Sequence, residues 1–446
     1  MDSFISKQSI YPKKIILTGV VLLLLGMLFG IFGALQYVIP RFLKEEISFE
    51  KMRPLHVSSA LFWIILTAIG VLLTYLQEHT GKKIFSNLFT IIQFYLFVLA
   101  IVLIFICYLA GIFGGREYWE YPPKISILIV AGWVLLLINY IKSINSLINQ
   151  PVYIWMWLTG IVFFLFTFSE SYLWLLPYFK RNIINDMTIQ WKSYGSMVGA
   201  WNMLIYGSAV FLMSKISNNK AAAYSKTAFT LYFIGLFNLM FNWGHHIYTL
   251  PTHQYIRVVS YAVSMTELLL LGHIIYDWKK HLTVSQKFNS ILSFRFLLAA
   301  DTWIFLNLVL AIGMSIPAIN LYTHGTHITV AHAMGTTIGI NSMLLIAFVV
   351  DILYANQQKN KPIKKWVTIG FWISNASLLI FWLALIISGA IKAKWQMSAE
   401  PEVFSVMMLQ LRPFFVVFLF SGTTLAFGLC LILIPLLKIK QNAKSY

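Results

Sequence analysis

Long apolar runs, each broken by a short polar stretch, repeat along the whole chain. A membrane-spanning helix needs about 20 such residues. Twelve runs reach that length, at about 15–39, 54–77, 87–112, 124–146, 152–176, 190–213, 227–250, 255–276, 292–316, 326–350, 366–390 and 413–437. The pattern predicts an all-α fold, a polytopic bundle of twelve transmembrane helices forming a single domain over 1–446. The first run follows Lys13 and Lys14 but is too long for a signal-peptide core and lacks a small-residue cleavage site. It reads as an anchor that is retained. The longest loops, after the fifth and eleventh runs, have room for no soluble domain.

Composition sharpens this picture. Hydrophobic residues make up 59% of the 446 and charged ones 11%, where a soluble domain carries about 25% charged. Mean hydropathy is +0.76. A soluble globular protein and a disordered chain are both excluded. The net charge of +18 would otherwise point to nucleic acid; here it reads as basic residues confined to the loops of a protein in a lipid bilayer. The N-terminus, the C-terminus and the loops on their side hold 20 of the 33 Lys and Arg, among them Lys82, Lys83, Lys279, Lys280, Lys364 and Lys365. The opposite loops hold 13, diluted by acids such as Glu45, Glu117, Glu120, Glu170 and Asp186. The positive-inside rule therefore places both termini in the cytoplasm.

Histidine carries the candidate chemistry. His56 opens the second span, His245 and His246 close the seventh, and His332 lies about two turns into the tenth. With alternating directions, all four reach one level in the outer third of the bilayer. Each could be a core histidine bonded to a backbone carbonyl. Four at a common depth, two of them adjacent, favour ligation of a metal or heme iron, since neutral imidazole serves both. Residues i and i+2 on a helix lie about 200° apart, so His332 and Met334 face opposite sides of one span and could serve different irons. Two other spans bear lone acids, Glu267 and Asp301. Glu267 suits a metal or proton-delivery role, against a hydrogen-bonded structural acid. Asp301 reads as a polar interhelical contact. His79 and His281 read as solvated loop residues, and His253 and His273 as rim and core histidines. Neither cysteine, Cys107 or Cys430, belongs to a CxxC or CxxCH motif, so no c-type heme attaches here.

Several motifs carry a family likeness. Gly33-Ala34-Leu35-Gln36-Tyr37-Val38 ends the first span. Met52-Arg53-Pro54-Leu55 precedes His56. Gly115-Arg116-Glu117-Tyr118-Trp119-Glu120-Tyr121-Pro122 forms an outer loop. Gly244-His245-His246, Ser264-Met265-Thr266-Glu267 and the run Thr323-His324-Gly325-Thr326-His327-Ile328-Thr329-Val330-Ala331-His332 follow. The set resembles the catalytic subunit of the heme–copper oxidase superfamily. It is most similar to the large subunit of bacterial nitric oxide reductase, with the C-type oxygen reductases next. The long run ending in His332 is the most specific match; the histidine pair or the glutamate alone would be weak.

The resemblance implies two b-type hemes, one high-spin and one low-spin, in a bacterial inner membrane. It implies His332 as ligand of the high-spin heme, His245 and His246 as ligands of a non-heme iron, and Glu267 as an active-site acid. It places His56 at the low-spin heme, and Glu117 where the reductases use an acid to bind calcium. Arg412, at the mouth of the twelfth span, matches a heme-propionate partner or an interfacial snorkel. The substrate would be a small gas, NO or O2. With no CxxCH in the chain, a cytochrome c subunit or another donor would bring electrons. Two positions depart from the family. Met334 stands where a second low-spin histidine is usual. In the sixth span no histidine supplies the third metal ligand, and Tyr194, Gly195 or Ser196 takes that place, with Tyr194 the candidate for a chemical role. A two-histidine site binds a divalent metal more weakly, so the iron is held loosely or missing. The alternatives are a divergent member handling O2 or NO, and a heme-binding paralogue without catalysis. A transporter without heme leaves the histidine register unexplained.

Overall fold

The computed structural model describes residues 10–263, 266–354 and 361–439, with the side chains of 266–269 left out. The described residues form helices and connecting loops and contain no strand, only the isolated bridge Arg116–Trp119. Thirteen helices matter here: α1 Tyr11–Val38, α2 Phe49–Thr80, α3 Asn87–Leu109, α4 Ser126–Ser143, α5 Val152–Glu170, α6 Ile183–Ser217, α7 Lys226–Phe241, α8 Gln254–Val263, α9 Thr266–His281, α10 Ile291–Ser315, α11 His327–Tyr354, α12 Lys361–Gln396 and α13 Phe404–Leu437.

Ten helices among the described residues are long and apolar enough to cross a membrane. The sequence pattern predicts twelve; the seventh and eighth runs account for the difference. The seventh yields a 16-residue helix, α7, and then tightens into a 3-10 turn over Asn242–Ile247. Asn242, Gly244 and the two histidines replace the apolar periodicity there, and a local hydrogen bond between Asn242 and His245 competes with α-helical geometry. The eighth run is described as α8, Gln254–Val263, and α9, Thr266–His281, on either side of two residues outside the described set.

Burial ranks the helices. In α2 and α6 more than four-fifths of the most apolar window is buried, against about two-fifths or less in α1, α3 and α13. The first two are the axis of the bundle; the others show their flanks to lipid. Small residues set the closest crossings, as is usual in membranes. A Cβ on Gly70 would lie 2.6 Å from the Pro12 carbonyl, and one on Gly370 2.5 Å from that of Gly428. These draw α2 onto α1 and α12 onto α13.

One irregularity bears on the site. The middle of α11, Gly335–Ser342, is π-helical, a geometry that tends to mark functional positions. Asn307 Nδ2 donates to Thr336 Oγ1 (2.8 Å) and Trp63 Nε1 to Ser342 Oγ (3.0 Å). Trp303 presses on Gly339, where a Cβ would approach within 2.6 Å. Neighbouring helices thus stabilise the bulge from both sides, immediately after His332 and Met334.

Candidate functional site

The histidine pair sits on the 3-10 turn after α7. The two rings lie 4.1 Å apart, centre to centre. His245 Nδ1 meets Asn242 Oδ1 at 2.8 Å. This bond fixes the tautomer: Nδ1 carries the proton and Nε2 keeps its lone pair for a metal. His246 is stacked on Trp191 of α6, ring centres 5.4 Å apart. His332 of α11 and His324 of the preceding loop are both close enough to act electrostatically on His245 and His246. The fold thus brings His332 and His324, from two other segments, into electrostatic range of the histidine pair. Burial keeps His324 below the usual imidazole range, and therefore neutral near pH 7.

His332 Nδ1 is buried with no hydrogen-bond partner among the described residues. Such an orphan is uncommon in a finished interior. His332 and Met334 both precede the π-segment and lie on regular α-helix, so they keep the opposed directions expected of i and i+2. Met334 is partly buried against the core. At the other candidate heme position, His56 Nδ1 lies 2.7 Å from the Gly26 carbonyl. The ring therefore donates from Nδ1 and presents Nε2 bare. Gly30 makes room for it, since a Cβ there would lie 2.8 Å from Nδ1.

The sixth-span departure resolves geometrically. A Cβ on Gly195 would lie 3.4 Å from His246 Cδ2 and 2.8 Å from Trp243 Cβ. Gly195 therefore lies against the histidine pair. Tyr194 turns instead to Tyr118 and Trp191, with ring centres 5.6 and 6.3 Å away. Among the described residues no three His, Cys, Asp or Glu are grouped as a metal site. The Glu267 side chain lies outside the described residues.

Glu117 belongs to an ion-pair cluster on the loop before α4. Arg53 forks between Glu117 (2.6 Å) and Glu120 (2.7 Å). Arg116 grips Asp186 through two 2.7 Å contacts and lies over the Trp174 ring. Burial raises the Glu120 carboxyl above its ordinary range despite Arg53 and pushes the Tyr118 hydroxyl up to about 12. Arg412 is exposed near the start of α13. Asp301 is bridged to Lys279 at 3.4 Å, linking α10 to α9.

Two histidine readings change. His273, expected in the core, is more than half exposed and pairs with Asp277 one turn on. His79, expected to be solvated, is held between Tyr153 and Gln150.

Comparison with known proteins decides the family. The profile for cytochrome c and quinol oxidase polypeptide I matches residues 12–424. The chain belongs to that family. It is an oxidoreductase-family membrane protein, and hemes and a metal centre are expected of it. A nitric oxide reductase chain of Stutzerimonas stutzeri is 23% identical over 446 aligned positions, covering 90% of this chain and 89% of that protein. A cytochrome c oxidase subunit 1 homolog of Agrobacterium tumefaciens is 22% identical, covering 85% and 73%. A heme–copper terminal oxidase dimer solved by cryo-electron microscopy shares the fold, with TM-score 0.73 at 14% identity, covering 96% of this chain and 84% of that one.

His56 and His332 have ring nitrogens suited to heme iron, while the histidine pair offers two imidazoles, and not three, to a metal. His56 and His245 each have Nδ1 engaged and Nε2 free, and His332 has a buried, unpartnered nitrogen. Sequence reasoning missed the supports: Gly26, Gly30, Asn242, Trp191 and Gly195. Asn242 was within reach, three residues before His245. The others come from different helices and carry no motif.

Proposed function

We propose that this chain is the heme-bearing subunit of a nitric-oxide-reductase-like enzyme, reducing NO to N2O. The observation that carries the reading is the pair His245–His246, with Nε2 of His245 free and His332 in electrostatic reach. The nitric oxide reductase relative, matched over nine-tenths of both chains, supports this substrate. His332 would hold a high-spin heme b, His56 and Met334 a low-spin heme b, and His245 and His246 a non-heme iron, joined by Glu267. When bound, these groups supply electrons and an open position where charge developing on the gas is stabilised. The chain's own work is orientation. Gly26 aims His56, Asn242 aims His245, and Trp191 holds the plane of His246.

The reading extends to the surroundings. The protein would sit in a bacterial inner membrane with both termini cytoplasmic and the runs around α7 to α9 completing twelve crossings. A cytochrome c subunit would deliver electrons. Calcium at Glu117 would compete with Arg53, which holds that carboxylate at 2.6 Å. A second reading rests on Gly195. With glycine against His246 and no third imidazole from α6, the metal site is weak, and the chain would be a divergent O2- or NO-handling member or a non-catalytic heme protein.

Metal and heme analysis of the purified protein separates these. Two hemes per chain by pyridine hemochrome, iron without copper, and loss of NO reduction in His245→Ala with both hemes retained would support the proposal. Stoichiometric copper would refute the iron assignment. Full turnover in His245→Ala would refute the catalytic one.

A further inference from the structure

Five cations of this fold, Arg53, Arg116, Lys192, Lys215 and Lys279, each rest on a carboxylate. A half-open cavity at the far end of α2 from His56 holds a lysine with no such partner. It has a volume of about 160 Å³ and is lined by His79, Thr80, Lys82, Ser143, Asn145 and Gln150, with no acid. At about 30 Å³ per molecule it has room for roughly five waters, enough for a tetrahedral oxyanion.

The walls are already fixed. His79 uses both ring nitrogens, on the Tyr153 hydroxyl (2.9 Å) and Gln150 Oε1 (3.1 Å). Gln150 Nε2 donates onward to the Ser146 carbonyl at 2.9 Å. Ser143 Oγ donates to the Asn139 carbonyl and accepts from the Phe85 N–H. Lys82 is the one lysine or arginine of the lining; it is exposed and has no ion-pair partner among the described residues, and Asn145 beside it is exposed as well. Two further lysines add positive potential: Lys220 acts electrostatically on His79, and Lys142 lies over the Phe85 ring. Phe85, Leu88, Ile141 and Ile148 flank these segments, and each is more than half exposed. An anion alone has no use for such a rim; acyl chains do. Basic pockets between transmembrane helices, on the side of the lysine-rich loops, take up phospholipid headgroups.

We propose that this cavity binds the phosphate of an anionic phospholipid headgroup, with Lys82 as charge partner and the exposed apolar rim against the acyl chains. Native mass spectrometry of the full-length protein in detergent tests it, with titration by phosphatidylglycerol and by phosphatidylcholine. The wild type binds phosphatidylglycerol more tightly. Lys82→Gln loses about fivefold of that affinity, the effect of one lysine beside an anionic surface. Lys83→Gln, which removes the adjacent charge outside the cavity, loses none. Phosphatidylglycerol stays bound in millimolar inorganic phosphate. Equal losses in the two variants, or no preference between the lipids, would overturn the proposal. Complete displacement by inorganic phosphate would assign the cavity to the free anion and also overturn it.

Discussion

Gly30→Ala tests the low-spin heme assignment from the backbone side. The new Cβ would stand 2.8 Å from His56 Nδ1 and 2.9 Å from Cε1. Reaching ordinary contact at 3.4 Å requires the ring to give by about 0.6 Å. His56 cannot yield without lengthening its 2.7 Å bond to the Gly26 carbonyl. Overpacking of this kind costs about 1–3 kcal/mol, and a weakened hydrogen bond about 1 kcal/mol more. The helix-propensity gain from Gly to Ala offsets at most about 1 kcal/mol. Loss of an orienting partner typically weakens metal binding 10–100-fold, so the low-spin heme should be lost or its spectrum altered while the high-spin heme stays. Gly33→Ala is the matched control. One turn along the same helix, its Cβ meets only Phe49, at an ordinary 3.6 Å, and both hemes should remain. The assay is heme content by pyridine hemochrome with reduced-minus-oxidised spectra of the purified variants. An unchanged low-spin spectrum at full heme occupancy in Gly30→Ala would refute the placement of His56 as a ligand.

Other outcomes follow from the same geometry. Met334→His should lower the midpoint potential of the low-spin heme, because thioether favours ferrous iron; a redox titration showing no shift would remove Met334 from the ligand set. Asn242→Ala frees the His245 ring to adopt the other tautomer, and should lower non-heme metal affinity about 10–100-fold in a chelator competition while heme content holds. Arg53→Gln takes from the buried Glu120 carboxylate its charge partner and leaves it backbone hydrogen bonds alone, costing about 1–3 kcal/mol. Glu120 already has a raised folded-state pKa. The folded protein therefore binds its proton more readily than the unfolded chain, and stability falls as pH rises from about 4.5 through the raised value. Without Arg53 that window widens, so the variant's melting deficit should be larger at pH 8 than at pH 5; equal deficits would show that Glu120 does not titrate there.

The membrane class, the helical fold and the chemical candidates are legible in the pattern of residues alone. Apolar runs of 20 or more residues admit only helices in lipid, because every backbone polar group must be satisfied within its own segment. The motif ending in His332 placed the chain near the right family before any contact was known. The sequence did not determine how residues far apart meet. Residues 227–250 read as one regular helix, whereas the structure tightens the end of that run, at the histidine pair, into a 3-10 turn, because side-chain bonds there compete with the helix. The register of α6 left Tyr194, Gly195 and Ser196 open. Only packing of α6 on the turn put Gly195 against His246 and turned Tyr194 toward Tyr118. His56 shows the same division. Its presence is legible as one polar residue in an apolar run, but the atom it can offer to iron depends on a carbonyl 30 residues earlier, on another helix. A candidate ligand's identity is local chemistry, written in the chain. Ligand orientation is a long-range contact, and periodicity carries no information about which helix supplies it.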